Sequence, residues 1–223
     1  MIKAVLFDLD RTLLDRDTAF RNFVVSQQRK FADALSGIPA AVFIERVILL
    51  DKHGLLWKDE VYQAIVREFG IASLRWEELF EDFALRVADY YMPFPGLREM
   101  LDTLKSRGYL LGLVTNGREA FQKQSIRALG LDRDFQAVLI SEVEGVRKPE
   151  PDIFCRALSR LSCQPQEAVF VGDSVEADIL GAKRVGMFTA WKRDPLFLDP
   201  VDADIVFDDL GELPGAIDGL SIP

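Results

Sequence analysis

Apolar positions along the chain follow two different periods, and the change of period divides it. Near the start a short apolar run, VLF, leads into Asp8-Leu9-Asp10. From residue 15 to 92 the apolar positions recur three and four residues apart, as in Ala19, Phe20, Phe23, Val24, Phe31 and Leu35, the spacing of one helix face. Gly37, Gly54 and Gly70 stand where helices would stop, and Asp17 and Ser73 suit helix starts. Four helices are therefore predicted, over 17–36, 39–53, 58–69 and 74–90. Phe20 and Phe23 share the apolar face and are expected in the interior of this block. The segment MPFPGL breaks the pattern, because Pro93 and Pro95 disfavour helix and mark a linker.

Beyond the linker the pattern alternates: helix 96–107, strand YLLGLVT, helix 118–129, strand AVLIS, helix 150–161, strand AVFVGD, helix 176–185, then strands MFTAW and ADIVF. Alternating β and α units predict an α/β fold with a doubly wound parallel sheet of the Rossmann-like kind. Its strands should be nearly continuous apolar runs because both faces are covered, and VLF, LLGLV and AVFV fit. The first strand belongs to the same sheet. The helical block is thus read as an insertion, leaving residues 1–14 and 93–223 as the α/β core and 15–92 as a separate helical domain.

Composition narrows the function classes. The chain has 223 residues and is 49% hydrophobic, enough for a substantial core. Its 36 acidic and 27 basic residues give a net charge of −9, which argues against a nucleic-acid partner. No apolar run approaches the roughly 20 residues that cross a bilayer, and Met1-Ile2-Lys3 leads straight into a strand pattern rather than a signal sequence, so no membrane partner is expected and the protein reads as cytoplasmic. If one helix carried both Cys155 and Cys163, they would lie about 12 Å apart along its axis, too far for a disulfide. With no CxxC pair and one histidine, zinc is poorly supported, and His53 reads as a solvated residue at a helix end.

The candidate chemistry lies at strand ends, where ligands bind in open parallel sheets. Read as the end of the first strand, Asp8 and Asp10 would place two carboxylates on one side, an unfavourable pairing unless a cation or a shared proton offsets it. Thr115-Asn116-Gly117 ends a second strand, Lys148-Pro149 follows a third, and Gly172-Asp173-Ser174 ends a fourth, with Asp178 five residues after Asp173. Each group alone has an ordinary explanation as a turn, a surface lysine or an acid in a first helical turn. Their joint placement is what points to a site. Asp8 and Asp173 are hard oxygen donors suited to Mg²⁺. Asp8, already an anion, could attack phosphorus to form an aspartyl phosphate, with Asp10 as the proton carrier. Thr115, Asn116 and Lys148 are suitable donors for phosphoryl oxygens.

The sequence resembles a haloacid dehalogenase superfamily hydrolase. DLDRT matches the DxDxT motif, VTNG the second motif, Lys148-Pro149 the third and GDSVEAD the acidic motif. The resemblance spans essentially the whole chain and implies Asp8 as nucleophile and Asp10 as general acid and base. It implies Mg²⁺ held by Asp8, the Asp10 carbonyl and Asp173, with phosphate bound by Thr115 and Lys148. Thr12 completes the first motif. Asp178 would be either a further metal-site acid or, as we prefer, a partner orienting Lys148. The helical insertion resembles the four-helix cap of the family, whose closure excludes water and favours small substrates. Arg11 departs from the glycine of many members, which would be required only where φ is positive or the backbone packs closely.

Asp10 also separates two reactions. Phosphatases of the superfamily carry it, whereas haloacid dehalogenases usually have another residue there, so phosphomonoester hydrolysis is expected, with the dehalogenase as alternative. A phosphoacceptor signalling domain is less compatible, since its acceptor aspartate lies on a later strand and it lacks the large insertion. Sugar phosphates, phosphoglycolate and nucleoside monophosphates are all candidate substrates; VTNG and ISEVEGVRKPEPDIF lean towards nucleotidase-like members. Asp17, Arg21, Tyr90 and Tyr91 are possible substrate contacts.

Overall fold

The structure, a computed structural model, describes residues 1–194 and 201–220. Six strands, β1 (Ala4–Phe7), β2 (Leu110–Thr115), β3 (Ala137–Ile140), β4 (Ala168–Gly172), β5 (Phe188–Lys192) and β6 (Ile205–Phe207), form one sheet in the order β3-β2-β1-β4-β5-β6. Every pairing is parallel. This is the α/β arrangement that alternating apolar runs and helical stretches predict. β1 and β4 are adjacent and wholly buried, as expected of central strands covered on both faces. On one side of the sheet, Phe154 meets Phe170 edge to face at 5.0 Å among Leu6, Val114, Leu139 and Ile153.

The chain divides into two compact units, residues 1–15 with 93–223 and residues 16–92. The second unit contains α1 (Arg16–Lys30), α2 (Ala40–Asp51), α3 (Lys58–Phe69) and α4 (Trp76–Arg86). Phe20, Phe23 and Phe83 pack edge to face in its interior. The predicted first helix ends early, at Lys30, and residues 31–37 continue as turns although Leu35 remains buried. Apolar spacing reports burial there, not backbone bonding. Ser73 does not cap α4: its hydroxyl donates to the Ala34 carbonyl, while the Glu78 carboxylate accepts from the Arg75 N–H. Asp17 lies inside the first turn of α1 and pairs with His53 Nδ1 at 3.0 Å, and Arg21 pairs with Glu45.

In the first unit α5 (Leu97–Ser106), α6 (Glu119–Ala128), α7 (Ser141–Glu144), α8 (Pro151–Leu161), α9 (Gly181–Arg184) and α10 (Leu213–Asp218) connect or follow the strands. Among the described residues no helix is long and apolar enough to cross a membrane.

The helical unit is pinned by a buried charge cluster that pattern reading did not anticipate. Asp51, 2% exposed, accepts two hydrogen bonds from Arg16, at 2.8 and 3.0 Å, and one from Lys58. Burial pushes the Asp51 carboxyl up, but Arg16 and Lys58 together hold it below its ordinary value. A carboxylate depressed by folding contributes stability that is present above the unfolded value, near 3.8, and lost as pH falls through the folded one. Asp51→Ala should therefore cost about 3 kcal/mol at pH 7, because the buried Lys58 and the half-buried Arg16 both lose the Asp51 carboxylate. Urea unfolding at pH 7 and pH 3 checks this: the deficit should shrink at pH 3, and an equal deficit at both would refute the electrostatic account.

Candidate active site

The site forms where the strand order reverses. From β1 the chain proceeds outward through β2 and β3 on one side and later through β4, β5 and β6 on the other, so the crevice opens between the carboxyl ends of β1 and β4. Phe7 pairs with Val171 in register, which sends Asp8 and Asp173 out of neighbouring strands. The Asp8 N–H still donates to the Val171 carbonyl at 2.9 Å, but β1 ends at Phe7. The Leu13 and Leu14 N–H groups then both donate to the Leu9 carbonyl, closing a tight turn. Asp8 and Asp10 are thus not two positions on one face of a strand. The turn separates them, and each carboxylate has its own partners.

Asp8, 7% exposed, receives Lys148 Nζ on Oδ1 at 2.6 Å and the Thr12 hydroxyl on Oδ2 at 3.3 Å. Lys148, itself buried, also donates to Asp178 Oδ1 at 2.6 Å. Burial alone would discharge this ammonium, yet Asp178 and Asp8 raise its pKa above the ordinary value. The other oxygen of Asp178 accepts the Ser174 N–H at 3.0 Å, so both are engaged, in keeping with an orienting part for this residue. Burial pushes the Asp178 carboxyl up to about 6 against the pull of Lys148.

The backbone after β4 explains how Asp178 reaches inward. The helix predicted over 176–185 begins instead as a π-helical turn over Val175–Leu180, in which the Ile179 N–H reaches the Ser174 carbonyl. Such widened turns recur at functional sites. Gly172 makes room for it: a Cβ there would lie 2.4 Å from Cβ of Asp178. Any side chain at 172 would displace that carboxylate.

On the β2 side, Asn116 and Lys148 clasp each other. The Asn116 Nδ2 donates to the Lys148 carbonyl and its Oδ1 accepts the Lys148 N–H, both at 2.9 Å. Asn116 therefore holds the lysine backbone. Thr115, 1% exposed, donates its hydroxyl to Gln122 Oε1 at 3.2 Å, and that hydroxyl must rotate before its one proton can reach a phosphate oxygen. Gln122 in turn donates to Asp10 Oδ2 at 3.0 Å. Sequence reasoning missed Gln122, since a glutamine three residues into an amphipathic helix reads as a surface position; the only signal was its place shortly after VTNG.

Arg11 adopts φ 65°, so this position does take the conformation in which glycine is the low-cost residue. Its guanidinium donates to Asp173 Oδ2 at 3.1 Å and to Asp194 at 2.9 Å. Trp191 Nε1 donates to the Asp173 carbonyl at 2.8 Å, fixing the same residue through its backbone.

The donor chemistry fits a divalent cation. Asp8, Asp173 and Asp178 each offer an oxygen, all within 4.8 Å of one another. Burial, then the charges of Asp178 and Asp8, push the Asp173 carboxyl well above its ordinary value. Crowded buried carboxylates of this kind form a hard oxygen set of the sort Mg²⁺ takes.

A sequence model of haloacid dehalogenase-like hydrolases matches residues 2–186. The chain belongs to this family. Among relatives of this hydrolase, it is 46% identical over 199 residues to the glyceraldehyde 3-phosphate phosphatase of Pyrococcus furiosus, spanning 85% of this chain and 80% of that one. It is 35% identical over 115 residues to a pyrimidine 5'-nucleotidase of Escherichia coli, about half of each chain (51% and 51%). Among solved structures, the haloacid dehalogenase-type phosphatase of Thermococcus onnurineus superposes over all of both chains with a TM-score of 0.70 and 31% identity. This hydrolase of the haloacid dehalogenase family is accordingly a phosphoric monoester hydrolase, the phosphatase branch of the sequence reading.

Proposed function

We propose that the enzyme is a Mg²⁺-dependent phosphatase that hydrolyses a small phosphomonoester, of triose-phosphate size, through an aspartyl phosphate on Asp8. The observation that carries this reading is the buried Asp8 carboxylate at the β1/β4 crevice, held by Lys148 and Thr12. An anion fixed there needs no deprotonation to attack. Asp8 attacks phosphorus, the bond from phosphorus to the ester oxygen breaks, and Asp10 gives its proton to that oxygen. Asp10 then takes a proton from water as the water attacks phosphorus, which releases the Asp8 carboxylate and inorganic phosphate. Lys148 and, after hydroxyl rotation, Thr115 hold phosphoryl oxygens, while Asn116 and Asp178 keep Lys148 in place.

Mg²⁺, when bound by Asp8, Asp173 and the Asp10 carbonyl, would offset the negative charge of the phosphoryl group. The helical unit, entered after Asp15 and left at Pro93, is assigned the part of a cap that excludes water. The Phe94 N–H donates to the Leu13 carbonyl at 2.9 Å, so its two connections run side by side. Both cysteines, Cys155 and Cys163, are free, in keeping with the reducing cytoplasm in which we place the enzyme. Greater identity over more of the chain favours the triose phosphate over the nucleotide as substrate.

The test is phosphate release from glyceraldehyde 3-phosphate, phosphoserine and uridine monophosphate, with Mg²⁺ and then with excess chelator. We expect kcat/KM for the triose phosphate to lead by about 10-fold, a difference of ~1.4 kcal/mol. Chelation should remove the activity and Mg²⁺ restore it. Turnover insensitive to chelator would overturn the metal dependence, and a nucleotide ranked first would overturn the substrate.

A further inference from the structure

Gln122 is a buried amide whose side-chain partners all lie around the site. It sits in the first turn of α6 and is 6% exposed. Its Nε2 donates to Asp10 Oδ2 at 3.0 Å and to the Asn116 carbonyl at 3.4 Å, and its Oε1 accepts from Thr115 at 3.2 Å. When Asp10 is a carboxylate, as it is when it takes a proton from water, it only accepts, and the amide nitrogen faces it. The Asn116 carbonyl, a second acceptor for the nitrogen, favours that sense; turned over, the amide oxygen would face both this carbonyl and the Asp10 carboxylate. The neighbouring loop is shaped around this group: Gly117 has φ 158°, and a Cβ there would lie 2.4 Å from Gln122 Nε2.

We propose that Gln122 is a positioning residue for the proton-transfer step, its carboxamide fixing the plane of the Asp10 carboxylate against the loop after β2. The inference rests on the reading of Asp10 as general acid. Asp10 follows β1 on a turn rather than on a strand, so its side chain is not held by sheet geometry. Gln122 supplies an anchor from the adjacent segment. An acid swung out of line fails at protonating a basic leaving group but is scarcely missed when the leaving group departs as a stable anion.

Gln122→Met keeps the volume and removes the hydrogen bonds. We expect its kcat/KM for an alkyl phosphate, glycerol 3-phosphate, which reports the step in which the ester oxygen leaves, to fall by about 10- to 100-fold, the range seen when an orienting partner is lost. For p-nitrophenyl phosphate kcat/KM should change by less than about threefold, whereas kcat also contains the hydrolysis of the aspartyl phosphate, which is common to both esters. Asp10→Asn, measured alongside, should show the same selectivity more strongly. In the Asp10→Asn background Gln122→Met should have almost no further effect, because the two residues act through one carboxylate. If Gln122→Met does not fold, Gln122→Asn, whose amide stays polar but is one methylene too short to reach Asp10, carries the same comparison.

Selective loss in Asp10→Asn with equal losses for both esters in the Gln122 variant would overturn the positioning role alone. Multiplicative losses in the double variant would do the same. Equal losses of kcat/KM for both esters in Asp10→Asn would overturn the acid role and this inference together.

Discussion

Asp8→Asn should lower phosphate release by about 10⁴-fold or more, to a residue of activity left by the remaining binding groups. Asparagine has almost the shape of aspartate but offers no anionic oxygen to phosphorus, so the two-step route through an aspartyl phosphate closes. The fold should survive. Lys148 keeps Asp178 as a partner at 2.6 Å, and the substitution removes one of three crowded carboxylates rather than stranding a cation. Thermal unfolding should therefore occur close to the wild-type temperature. Acid quenching during turnover should trap phosphoprotein in the wild type and none in the variant. Near-normal turnover in Asp8→Asn, or a trapped phosphate that maps elsewhere, would remove Asp8 as nucleophile.

Lys148→Met is the second large effect, and it acts on stability and turnover at once. Lys148 is 2% exposed and bridges Asp8 and Asp178. Methionine retains most of the volume, so the loss is chiefly electrostatic: two buried carboxylates are left without their cation, at a cost of about 3–5 kcal/mol. Turnover should fall by about 10²- to 10³-fold, the usual consequence of removing one donor from a developing phosphoryl charge. A double variant separates charge from packing. Lys148→Met with Asp178→Asn should recover 1 kcal/mol or more of the lost stability, roughly, without recovering activity. If the second substitution lowers stability further, the deficit of the first belongs to packing, and the buried charge account is wrong.

The β/α alternation was readable because each central strand is an apolar run that must be covered on both faces, as in VLF, LLGLV and AVFV. That alternation carried the parallel sheet, and the polar residues after each run marked its carboxyl edge. Asp8, Thr12, Lys148, Asp173 and Asp178 all meet at that edge, although Lys148 stands 140 residues from Asp8. Local pattern failed where backbone hydrogen bonding departs from side-chain burial: at residues 31–37, at the turn that takes Asp10 out of β1, and at the π-helical turn before α9.

Three features exist only through the assembled sheet. Gln122 lies 112 residues from Asp10, and the two meet because β1 and β2 are neighbours in it. Arg11 occupies a positive-φ position with its guanidinium against Asp173, where sequence could say only that glycine was missing. Asn116, expected to face substrate, instead holds the backbone of Lys148. Residue types and their order along the chain carry the kind of chemistry, since a strand end exposes whatever follows it. Which groups share a proton, a charge or an amide depends on separations of about 3 Å between remote segments, and only strand order and turn geometry set those.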